Sequence, residues 1–227
     1  RRLALGVLGL LVAAWVVLPV SIALVATHRP PGDADPPDLG RAAHAVTLTT
    51  ADGLQLRASY APSRNGAAVV LFPEQSGTAA HARMLARAGY GVLAVDMRGY
   101  GASEGDPNAL GWGATPDVDA AVAFLAASDD VTDGRVGGLG LSVGGELLLE
   151  AAAGNPALRA VVSDGAGERS VRESASRGVS AALVLPLQAV QTAAVAILSG
   201  DAPPPALQDL VGRISPRALL LIAAGNG

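Results

Sequence analysis

The chain has 227 residues, half of them apolar and only 3% aromatic, with a formal net charge of −4. That length supports one domain with a sizeable core. All sixteen basic residues are arginine and they form no stripe or cluster that could neutralise phosphates, which excludes nucleic-acid binding. Cysteine is absent, so disulfides, thiolate nucleophiles and cysteine-bound metals are excluded, and no metal or other cofactor is expected.

Residues 3–27 carry no charge. As a helix they would span ~37 Å at about 1.5 Å per residue, enough to cross a hydrocarbon core of about 30 Å. A cleaved signal peptide has a shorter apolar stretch, of about 7–15 residues. A buried soluble helix would show polar residues on one side, whereas this stretch is apolar all round. Pro19 is awkward in a soluble helix and tolerated in a membrane one. Residues 1–28 are therefore expected to be a single transmembrane anchor with membrane lipid as its partner. Arg1 and Arg2 favour an inside N-terminus, although Arg29 and Arg41 blunt the asymmetry, and the rest of the chain is expected on the extracytoplasmic side. Residues 29–41, rich in proline, aspartate and glycine, cannot bury a core and are expected to form a stiff linker.

The domain proper is expected over residues 42–227. Residues 44–50 and 54–60 alternate as strands around the turn Ala51-Asp52-Gly53. The apolar run 67–72 suits a strand buried on both faces. A helix follows over 79–88, then a strand over 91–96. Thr115-Pro116-Asp117 supplies an N-cap, a first-turn proline and an early acid for the next helix, which places Val118, Ala121, Val122 and Leu125 on one face. A strand over 135–141 runs through Ser142 into a helix over 145–153, closed by Gly154-Asn155-Pro156. Strands over 158–163 and 217–223 complete the pattern. A hairpin followed by repeated strand–helix units predicts an α/β fold, a mostly parallel sheet with helices on both faces.

The chemistry concentrates at Gly140-Leu141-Ser142-Val143-Gly144. Gly-x-Ser-x-Gly is a short pattern, but here a strand leads into it and a helix leaves it, the setting of a nucleophile elbow. Gly140 and Gly144 let strand and helix close around a strained turn, and the helix N-terminus points a partial positive charge at Ser142. The competing reading is a serine that merely caps an ordinary helix.

Four features in order resemble the α/β-hydrolase family, closest to its serine aminopeptidase-like and lipase- or esterase-like members. They are the opening hairpin, the loop after Phe72, the segment Asp96-Met97-Arg98-Gly99-Tyr100-Gly101-Ala102-Ser103-Glu104-Gly105, and Gly-Leu-Ser-Val-Gly-Gly at 140–145. The resemblance covers roughly residues 42–227 and implies acyl transfer through a covalent intermediate on Ser142. It implies an oxyanion hole made by the N–H of Val143 and one from the loop after Phe72, where Gln75 is the first candidate, Glu74 the second, and Pro73 has no N–H to give. Asp96 is expected to cap its turn and pair with Arg98.

The resemblance also implies a histidine base after a final strand, and an acid after the 217–223 strand. Neither is found: the chain ends at Gly227 and holds only His28, His44 and His81. The expectation is a chain truncated at its C-terminus, lacking the last strand and the histidine, with Asp164 as a spare candidate acid. Residues 165–215 are expected to form a lid insertion, with an uncharged stretch at 179–199 whose apolar helices would favour an acyl or otherwise apolar substrate. Two functions follow. One is a serine hydrolase of esters, thioesters or amides, acting on a small-molecule, acyl or peptidyl substrate. The other is a tethered binding protein that kept the fold and lost the triad.

Overall fold

The computed structural model describes residues 6, 9–10, 13–28, 39–72, 78–175 and 181–223. A π-helical turn at Ala13–Val17 runs into α1 (Leu18–His28). There follow β1 (His44–Thr49), β2 (Gln55–Ala61), β3 (Ala68–Phe72), α2 (Ala79–Arg87), β4 (Gly91–Val95), α3 (Thr115–Ala126), β5 (Val136–Leu141), α4 (Val143–Gly154) and β6 (Ala160–Asp164). The chain continues with α5 (Val171–Ala175), α6 (Ala181–Ser199), α7 (Leu207–Ile214) and β7 (Ala218–Ile222). Among the described residues no helix is long and apolar enough to cross a membrane, and of the expected linker residues 29–38 lie outside the description.

The seven strands form one sheet in the order β1-β2-β4-β3-β5-β6-β7. The β1–β2 and β2–β4 pairs are antiparallel and all others parallel. Side-chain alternation along the central strands divides the core in two. Val70, Phe72, Leu93 and Val95 face one side, packed with Val118, Val122, Leu147 and Leu148 of α3 and α4. Leu71, Val92, Ala94 and Leu139 face the other, packed with Ala82 and Ala86 of α2. Leu39 also lies in this second cluster, so the domain gathers chain from just before the expected boundary at 42. Each fully buried leucine or phenylalanine contributes about 1.5–3 kcal/mol.

The insertion after β6 divides in its packing. α7 joins the main core through Leu207, Leu210 and Ile214, whereas α6 packs along α1. The second helix of the sheet layer also departs from expectation. Ala114, not Thr115, occupies the N-cap of α3, and Thr115 is its first helical residue.

The segment after β4 shows why it reads as it does. The Asp96 carboxylate accepts from the Ala102 N–H and so caps its turn, Gly101 lies so close that a Cβ there would overlap that carboxylate, and the Ser103 hydroxyl donates to the Asp96 backbone carbonyl at 2.6 Å. Arg98, however, does not pair with Asp96. Its Nε and Nη2 donate to Asp117 Oδ1 at 2.9 and 2.6 Å, its backbone N–H reaches Asp117 Oδ2 at 2.9 Å, and Nη1 reaches Asp52 at 2.8 Å. Asp117 is fully buried, so this early acid of α3 ties the turn to the helix and the β1–β2 hairpin. Removing one partner of a buried pair strands the other charge, which costs about 3–5 kcal/mol. Asp117→Ala is therefore expected to lower the free energy of unfolding by about that amount in denaturant titration. The half-exposed Asp52 partner should matter little, about 0–1 kcal/mol for Asp52→Ala; equal losses for both would contradict the assignment.

Candidate active site

β5 and α4 meet at Ser142 in a turn that only small residues permit. Ser142 has φ 49° and ψ −120°, the one positive φ outside glycine among the described residues. Such backbone costs of order 1–3 kcal/mol and persists only where the surroundings enforce it. Here they do. A Cβ on Gly140 would overlap the backbone of Gly144, and a Cβ on Gly144 would overlap the Phe72 carbonyl oxygen. Ser142 N–H donates to the Asp164 carbonyl at 2.7 Å, and the Ser142 carbonyl accepts from Glu146 N–H at 3.1 Å. Although Ser142 sits at the N-cap position of α4, its side chain makes no capping hydrogen bond. A serine serving only as a cap would make that bond and would not need a positive φ.

Val143 opens α4, so its N–H is one of the helix's unpaired first-turn donors, at the positive end of the dipole. Gln75 and Glu74, the candidates for the second donor, lie outside the described residues. Asp164 ends β6 beside the elbow, at the same register as Leu141. Of the three histidines, two have other partners. His28 Nδ1 is 2.8 Å from the Thr27 hydroxyl at the end of α1. His44 packs edge-on against Tyr60, at the end of the sheet away from Ser142. His81 is on α2, with Nδ1 buried and unpaired. None hydrogen-bonds Ser142 among the described residues.

Two supports of the elbow escape sequence reading. Gly111 backs onto Val143, so that a Cβ at 111 would lie 2.9 Å from Val143 Cγ1. Glu146, in the first turn of α4, is buried and accepts from Gly167 N–H at 2.9 Å. Arg169, whose side chain is almost wholly buried, lies 3.3 Å from Glu146 and 2.5 Å from Glu150. This cluster fastens the segment after β6 to α4. Spacing could not reveal it, because Glu146 and Arg169 are far apart in sequence and look like ordinary surface charges.

A sequence model of the X-Pro dipeptidyl-peptidase (S15) family matches residues 43–211. The chain belongs to this family. An α/β-hydrolase domain-containing protein of Arabidopsis thaliana, WAV2, is 30% identical over 119 residues, 49% of this chain and 38% of that protein. The chain thus spans well under half the length of this curated relative. An esterase from Pyrococcus furiosus is similar with a TM-score of 0.61 at 19% identity, over 87% of this chain and 89% of its own. An α/β hydrolase from Penicillium gives 0.58 at 20% identity, over 81% and 80%. These structures show that this S15-family chain has the α/β-hydrolase fold, with the mostly parallel sheet expected from the sequence.

Two outcomes follow. Gly144→Ala should destabilise the fold by at least about 1–3 kcal/mol, because the new methyl meets backbone and not a movable side chain; an unchanged Tm would show that the elbow has room. Burial, the dominant influence, raises the Glu146 carboxyl above its ordinary pKa, opposed by the Gly167 N–H and the Arg169 charge. A folded-state value above the unfolded one gives a contribution that is full below the unfolded pKa and is lost as pH rises through the folded value. Glu146→Gln should remove that loss, so its stability relative to wild type should rise as pH increases above the ordinary carboxyl range of about 4 in denaturant titrations. A pH-independent difference would contradict this.

Proposed function

We propose that this protein is a membrane-tethered serine hydrolase that cleaves an ester, thioester or amide bond through an acyl-enzyme on Ser142. The observation that carries the reading is the enforced positive φ of Ser142 at the start of α4. Ser142 Oγ attacks the carbonyl carbon and its proton passes to a general base. The oxyanion is held by the Val143 N–H, with Gln75 proposed as the second donor. The base then returns the proton to the leaving group, and water releases the acid by the same steps. Relatives named as peptidase and esterase agree with acyl transfer and leave the bond type open.

The base in this reading is a histidine outside the 227 residues, since none of the three present hydrogen-bonds Ser142 among the described residues. The exposed apolar side chains of β7, Leu220, Leu221 and Ile222, support further chain packing at that edge of the sheet. Asp164 is the proposed acid because it ends the strand beside the elbow. The tether rests on the charge-free residues 3–27, and the extracytoplasmic side on the arginines at the N-terminus. That no histidine hydrogen-bonds Ser142 among the described residues supports a second reading, a binding protein that keeps the fold without turnover.

Hydrolysis of p-nitrophenyl esters by the full-length gene product discriminates between them. Wild type should turn over, and Ser142→Ala should lose at least about a thousandfold in kcat. The 227-residue chain alone should be far slower than full length. Turnover unaffected by Ser142→Ala would overturn the proposal, and none at full length on any acyl substrate would favour the binding reading.

A further inference from the structure

The N-terminal apolar helix is not a detached stalk in this structure. α1 lies along α6, and the two share a small core of Ala23, Trp112, Ala194 and Val195. The Ala109 N–H donates to the Ala26 carbonyl at 2.8 Å, which fixes the end of α1 to the loop at 108–114. That same loop places Gly111 against Val143. The helix expected to be in the membrane is therefore built onto the insertion and reaches, through one loop, the residue after the nucleophile.

The outward side of this helix pair is apolar and uncharged. Neither residues 13–27 nor Ala181–Ser199 contains an aspartate, glutamate, lysine or arginine. Val17 is 57% exposed, Val25 65% and, on α6, Ile197 82%. The one exposed hydroxyl on α1, that of Ser21, is satisfied within its own helix, donating to the Val17 carbonyl at 2.8 Å. Small residues at the contact, Ala23 and Ala194, allow the close approach typical of helix pairs in lipid.

We propose that the outer face of α6 around Ile197 is embedded in the lipid surface together with α1, so that the insertion beside Ser142 is a membrane-contacting element and the domain lies against the bilayer. The occupant of this face is a phospholipid bilayer. It is favoured over a second protein because the face continues directly from the helix assigned to the membrane and lacks any charge that could fix a protein partner in register. The inference rests on the tethering reading and extends it from the anchor to the insertion.

The absence of cysteine permits a direct test. Ile197→Cys, Val25→Cys and Met84→Cys are made singly in the 227-residue chain, which has no cysteine of its own, the last on the exposed side of α2 as a water-facing control. Each is labelled with a nitrobenzoxadiazole dye and reconstituted into vesicles of phosphatidylcholine and phosphatidylglycerol. Doxyl-labelled phosphatidylcholine should quench the dye at 197 and at 25 severalfold more than at 84. Quenching at 25 but not at 197 would overturn the inference while leaving the tether intact. No quenching at either would overturn both. A blue-shifted but unquenched dye at 197 would show that protein covers the face, and would likewise overturn the proposal.

Discussion

The tight closure of β5 onto α4 is the constraint on which the rest of the site depends. With glycine at 140 and 144, α4 comes down onto the strand end until only hydrogen atoms fit between them. That contact holds Ser142 at a backbone geometry it would not adopt alone, and hydrogen bonds from β6 and from the first turn of α4 fasten it on both sides. Strain of this kind points a short side chain away from the sheet, where it cannot cap its own helix and is available to a substrate.

Around the elbow, buried charge does the fastening that apolar contact cannot. Arg98 joins the turn after β4 to α3 through Asp117, and Arg169 joins the start of the insertion to α4 through Glu146 and Glu150. Both arginines are largely withdrawn from water, so each needs its carboxylates in place. The insertion is thus anchored at one end by ion pairs, at the other by the packing of α7, and in between by apolar contact with α1.

Much of this architecture is legible in the sequence because local chemistry and fold agree there. The runs around Val70 and Leu93 are apolar on both faces, and in the structure both faces are covered. The Ser142 motif is readable because a strand and a helix flank it. What could not be read depends on contacts distant in sequence. Asp117 looks like a first-turn acid suited to the helix dipole, and only the fold shows that it receives Arg98. Proximity in sequence points Arg98 to Asp96 for the same reason, whereas the fold brings it to Asp117 and Asp52. Likewise, α1 reads as an isolated apolar helix, and its docking on α6 and on the loop at 108–114 depends on tertiary packing.

The central claim is that Ser142 is a nucleophile and not a helix cap. Full-length protein treated with a fluorophosphonate and digested for mass spectrometry tests it most directly. The account predicts a single phosphonylated peptide, the one containing Ser142, and its disappearance in Ser142→Ala. Failure of the full-length protein to react, or label that persists in Ser142→Ala, would contradict it.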